Sequence, residues 1–270
     1  MSVVKLYLKF IRIFIKSKIE YRFGLMFELI ANMVLIGIYF LSIYVIFFNF
    51  TNVHGWNQYE FVFMFTTSWI SYSLSSYLFW KPMQDMGNMI TSGEFDSYLI
   101  RPISPLKYLV FRQFQYTFLP RMVLAIGFWV YSLAHVSVNW NIWKILYLIV
   151  TLIMGFLIYT SIFVILGALS FWILKSYDVT AIIINNDYGI RTYADYPLDI
   201  YGKGIKLLLT FILPFAFTGY YTISYILEKN MDSVLLRLSP VIAPIVTAIY
   251  VMFAYKMWCT GIKRYSSAGN

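Results

Sequence analysis

Apolar residues fall in six long runs, approximately 24–48, 60–80, 114–135, 143–172, 207–227 and 239–260. A hydrocarbon core about 30 Å thick needs roughly 20 residues of helix, so each run predicts one transmembrane helix. The fourth is long enough to tilt or to extend past the bilayer. No stretch alternates with period two, which argues against a barrel. Ahead of the first run, Lys5, Lys9, Arg12 and Lys16 share one helical face, and Val3, Tyr7, Phe10, Phe14 and Tyr21 share the other. That pattern predicts an amphipathic helix over 1–22 lying in the membrane interface, with Lys18 snorkelling from the apolar side. The expected fold is all-α: one polytopic domain of six transmembrane helices over 24–260 and a tail at 261–270.

Composition agrees. The chain is 60% hydrophobic and only 12% charged, against about 25% charged in ordinary soluble domains. Lipid, not water, must be its main solvent. The net charge of +9 is spread among apolar runs rather than gathered beside aromatics, so no nucleic-acid partner is expected. The single cysteine, Cys259, excludes an internal disulfide and a cysteine metal cluster and reads as a small apolar filler. No cleavable leader is expected; the first run targets the chain.

Positive charge sets the orientation. With both termini cytoplasmic, the inner side holds the basic residues of 5–22, then Lys81, Arg101, Lys107 and Arg112, then Lys175, Arg191, Lys203 and Lys206, then Lys256, Lys263 and Arg264. The outer side holds only Lys144, Lys229 and Arg237. Trp56, Trp140 and Trp143 fall at outer boundaries and Trp80, Trp172 and Trp258 at inner ones, as an aromatic belt.

Catalytic patterns are missing. The string YGKGIK at 201–206 lacks the spacing of a phosphate-wrapping loop and reads as a flexible basic turn. His54 and His135 have no carboxylate close in sequence, and no H-E-x-x-H is present, so no metal site is expected. Charges inside spans are costly and by default functional. Glu28 in the first span and Arg121 after Pro120 in the third are the candidates, with Arg121 expected to face protein or a wet cavity. Glu60 reads as interfacial. So few carboxylates, and no inverted repeat, argue against a proton- or sodium-coupled transporter.

The stretch 81–107 is long and part-apolar. Met83, Met86, Met89, Ile90 and Phe95 alternate with Asp85, Glu94 and Asp96, and a short helix fits 82–92 between Pro82 and Gly93. Pro102 and Pro105 then break regular helix. Such a stiff bulge suits a docking surface for another protein. The second inner stretch, 176–206, is expected to begin as an interfacial helix that ends near Pro197.

Three strings resemble the ABC-2 type permeases. GEFDSYLIRP at 93–102 is similar to that family's motif after the second span. YP at 196–197 with LTFILPFAFTGYYT at 209–222 resembles its fifth-span signature, except that Thr222 and Ile223 stand where many members carry a proline. WCTGIKRYSSAGN at 258–270 resembles its C-terminal motif. The resemblance implies a bacterial plasma-membrane permease of an ATP-driven exporter. ATP and magnesium would be held by a separate ABC ATPase, in two copies, with a second and non-identical permease half as partner. It also implies that Met86, Met89, Gly93, Glu94, Phe95, Asp96, Leu99 and Arg101 lie in the ATPase-docking loop. The aromatic content suits an amphipathic substrate and plain lipid contact equally. An ATPase-independent channel or secondary transporter, and a membrane assembly factor, are the alternatives.

Overall fold

A computed structural model describes residues 22–113, 115–173, 176–185, 189–229, 231 and 233–266. The interfacial helix expected over 1–22 lies outside the described residues except for its last position, as does the end of the tail. The long helices are α1 (Arg22–Asn49), α2 (Gln58–Gln84), α6 (Phe118–His135), α7 (Ile142–Ala168) and α12 (Ser239–Arg264). Between α2 and α6 the described residues form the short helices α3 (Met86–Thr91), α4 (Asp96–Leu99) and α5 (Pro105–Arg112). Between α7 and α12 lie α8 (Ser176–Ile184), α9 (Lys203–Leu207), α10 (Tyr220–Ile226) and α11 (Val234–Arg237), joined by 3₁₀ and π turns.

Among the described residues, four helical stretches are long and apolar enough to cross a membrane: α1, α6, α7 with its 3₁₀ extension, and α12. A pair bent by 72°, Lys203–Ile212 with Pro214–Ile226, would make a fifth if it were one span. α2 has the length but not the hydropathy, and its serines explain why. Ser68, Ser71, Ser75 and Ser76 are buried, because α2 packs inside the bundle against α6 and α7 rather than against lipid. Small side chains let helix backbones approach closely and bond across the seam. Ser68 lies 2.8 Å from the Tyr159 hydroxyl and Ser75 lies 2.9 Å from that of Thr160. Thr66 and Thr67 turn their hydroxyls back onto the Val62 and Phe63 carbonyls of α2 itself. The Asn57 side chain and Glu60 close the helix start as a reciprocal capping box, which satisfies two orphan amides.

α2 gives the bundle two ends, one marked by Trp56 and the other by Phe95. From α8 to Ile200 the chain runs antiparallel to α2. The Tyr72 hydroxyl donates to the Ile184 carbonyl, Arg191 stacks on Tyr72 and Trp69, and Tyr196 meets Phe61. The contacts of this segment with α2 therefore run from Tyr72, at mid-bundle, to Phe61 near the Trp56 end. The helix ends at Ile184, short of Pro197, and Arg191 is buried and not a surface charge. Arg191, Asp195 and Pro197 are buried along this path, and the two charges pair with each other.

The run 207–227, expected as one span, is bent by 72° between Ile212 and Pro214. Pro214 cannot donate a backbone bond, and the helix breaks at Leu213. At its start, Lys206 lies 3.8 Å from Asp199. Asp199 accepts from Tyr220 at 2.7 Å, and the Tyr220 ring sits 6.1 Å from Trp56. The break itself is deep, where Tyr250 of α12 donates to the Phe211 and Ile212 carbonyls. Both arms thus open at the Trp56 end, and Lys203 and Lys206 belong there, not at the end where the charge pattern placed them.

Candidate functional site: the braced loop at the Phe95 end

The loop after α2 is built around one turn. α3 ends at Thr91, Ser92 caps it, and Gly93 follows at φ +71. A left-handed glycine just past the helix reverses the chain. The Phe95 amide then donates to the Met89 carbonyl at 3.1 Å, and the Phe95 ring is delivered inward. There it meets Phe171 at 5.5 Å, Trp258 at 6.4 Å and Tyr265 at 5.1 Å, all edge-on. Edge-to-face aromatic pairs add about 0.5–1.5 kcal/mol beyond burial, so this cluster joins the loop to the ends of α7 and α12. Burial, and next the neighbouring Asp96 carboxylate, push the Tyr265 phenol up to about 12. Met86 and Met89 are buried beneath the same turn. Met86, Met89 and Phe95 therefore support the loop from inside and present no surface of their own.

A polar clasp closes the other side. The Arg112 guanidinium lies 2.7 Å from the Glu94 carboxylate and also donates to the Tyr98 hydroxyl. Tyr98 donates to Glu94 at 2.7 Å. These bonds, led by that from Tyr98, hold the Glu94 carboxyl below its ordinary value. Burial, and then the Glu94 carboxylate, push the Tyr98 phenol up. Arg101 stacks over Tyr108 at 4.5 Å and donates to the Ser97 carbonyl. What remains on the outside is a compact ridge. Ile100 is 85% exposed, and Leu99, Arg101 and Pro102 are exposed beside it.

The two candidates inside the bundle come together between α1 and α6. Arg121 donates to the Asn32 side chain at 2.9 Å and its guanidinium lies 5.3 Å above Phe118. Asn32 donates to the Glu28 carbonyl at 2.8 Å, and Tyr116 donates to the Glu28 carboxylate. Asn32 thus ties the Arg121 guanidinium to the α1 backbone and Tyr116 holds the Glu28 carboxylate, two roles that hydropathy cannot single out. Glu60 caps α2 and pairs with Lys229 at 2.9 Å. His135 stacks on Tyr59 at 4.8 Å.

One polar group escaped sequence reasoning. Arg191 and Asp195 form a bidentate pair at 3.0 and 3.1 Å, with Arg191 fully buried. Their spacing of four was the available signal, but it is common on exposed helices and said nothing of depth.

No curated protein and no solved structure matches the chain. The family model described as "ABC-2 family transporter protein" matches residues 33–269, a span that includes the braced loop and the aromatic cluster at the end of α12. The chain belongs to that family and is a multi-pass permease component of an ABC transporter.

Proposed function

We propose that the protein is one permease half of an ATP-driven exporter in a bacterial plasma membrane, with the Phe95 end and both termini cytoplasmic. It crosses the membrane six times: α1, α2, α6, α7, the broken passage 176–200, and α12. The pair spanning 203–226 dips in from the outer side and returns. Lys81, Lys107, Arg112, Lys263 and Arg264 support this sidedness, since they remain at the Phe95 end after Lys203 and Lys206 are moved. ATP and magnesium bind on a separate ATPase, present in two copies, and a second, non-identical permease half completes the pathway. The cargo is an amphipathic molecule.

The carrying observation is the insertion of Phe95 among Phe171, Trp258 and Tyr265. A docking loop transmits force only if it moves with the helices behind it, and this ring ties one loop to two of them. The ATPase docks on the ridge of Leu99, Ile100 and Arg101, with Gly93 shaping the turn and Glu94 and Asp96 holding its flanks. When the ATPases close, the ridge moves and the bundle rocks between two packings. The direction of transport follows from the cargo's unequal affinity for the two states.

The test is purification of the tagged full chain from its native membrane in mild detergent, with ATP hydrolysis measured on the eluate. A Walker-motif ATPase should accompany the wild type. Ile100→Glu should insert normally and lose most of it. If no ATPase is recovered, or if Ile100→Glu retains all of it, the proposal is wrong.

A further inference from the structure

At the Trp56 end, the first turns of α7 and α12 enclose a cleft of about 860 Å³, within the roughly 300–1,000 Å³ usual for ligand sites. Its mouth carries one charge of each sign. Lys144 is only 8% exposed, and its ammonium lies 2.6 Å from the Glu228 carboxylate, which is largely exposed. Both are held in place. The Asn141 side chain caps the Lys144 amide at 2.8 Å. Glu228 stands at φ +57, a left-handed conformation rare outside glycine. Strained backbone of this kind concentrates at functional sites. The next residue, Lys229, fixes the turn: its amide donates a hydrogen bond to the Ser224 carbonyl and its ammonium pairs with Glu60.

Below the mouth the cleft turns apolar. Leu146 and Val150 form one wall and Pro240 another. Ile153, one turn further along the same face of α7, is exposed beyond them. Trp143 is exposed at the rim, where indole rings favour the headgroup layer. We propose that this cleft binds a zwitterionic glycerophospholipid with a primary ammonium headgroup. Its phosphate meets Lys144 and the start of α7, its ammonium meets Glu228, and an acyl chain follows Leu146, Val150 and Ile153. A primary ammonium donates hydrogen bonds to the carboxylate, which a quaternary one cannot do. An anionic headgroup lacks the cation and brings negative charge against Glu228.

The test is native mass spectrometry of the full chain, equilibrated with equal amounts of chain-matched phosphatidylethanolamine, phosphatidylcholine and phosphatidylglycerol. The wild type should retain phosphatidylethanolamine several-fold over the other two. Glu228→Gln should abolish the preference, and Val150→Trp, which fills the apolar part, should lower retention of all three. Equal retention by the wild type overturns the proposal. So does a preference that survives Glu228→Gln, or retention that Val150→Trp leaves unchanged. Should Glu228→Gln fail to fold, wild-type selectivity and Val150→Trp still decide.

Discussion

Gly261 of α12 lies so close to Phe171 that a Cβ built on it would fall 2.3 Å from the ring. The ring cannot retreat, because Phe95, Trp258 and Tyr265 surround it. In an exposed helix, glycine to alanine gains up to about 1 kcal/mol. Here overpacking costs about 1–3 kcal/mol and decides the sign. Gly261→Ala should lower the unfolding temperature in detergent. It should also weaken ATP hydrolysis coupled to transport more than it weakens ATPase binding, since it loosens the brace and leaves the Ile100 ridge in place. An unchanged unfolding temperature would count against the packing described.

A second close approach sits mid-bundle. A Cβ on Gly155 of α7 would lie 2.6 Å from the Ser71 hydroxyl of α2. Gly155→Ala should destabilise the protein by about 1–3 kcal/mol. Ser71→Gly should recover part of that loss in the double variant, because neighbouring sites couple. A double-mutant cycle read by thermal unfolding measures the coupling; simple additivity of the two changes would mean that the helices are not in contact there.

How much of this was legible beforehand follows from which residues face lipid. α1 and α12 expose broad apolar sides, so hydropathy placed them correctly. α2 faces protein and fills its seams with serine and threonine, which lowered its hydropathy signal without removing it. The placement of 189–200 along α2 is not legible in hydropathy, because Arg191 and Asp195 are polar and become buried only by pairing with each other inside the protein. The string at 209–222 stands out in the sequence, but its Pro214 divides the run into two arms that both open at the Trp56 end. For the candidate site, Gly93, Glu94 and Arg101 could be read as parts of one loop. That Phe95 meets Trp258 and Tyr265, more than 160 residues later, could not. Apolar content alone also did not reveal that Met86 and Met89 point inward while Ile100 points out.

The Arg191–Asp195 pair gives a prediction that turns on desolvation. Removing one partner of a buried pair costs about 3–5 kcal/mol, whereas replacing both with apolar residues of similar volume is near neutral or better. Asp195→Asn should therefore sharply reduce folded yield and unfolding temperature. The double variant Arg191→Met with Asp195→Leu should regain most of the loss. If the double variant proves worse than Asp195→Asn alone, then Arg191 is needed for its stacking on Tyr72 and Trp69, 4.3 and 5.1 Å away, more than for its charge.

The clasp of Glu94, Tyr98 and Arg112 sets a pH dependence. Hydrogen bonding, first from Tyr98, lowers the Glu94 carboxyl from its ordinary 4.5. A carboxyl lowered on folding contributes stability that is fully present above its unfolded value and is lost as pH falls through its folded value. The loop should therefore hold steady from pH 8 down to about 5 and loosen only under more acid conditions. Glu94 is partly exposed, so solvent screens the pair and its contribution is modest. Proteolysis or hydrogen exchange across residues 94–112, measured in detergent at a series of pH values, reads this directly. Glu94→Gln should flatten the acid limb and raise exchange at neutral pH. A loop that already loosens between pH 8 and 6 in the wild type would show that some other group holds it.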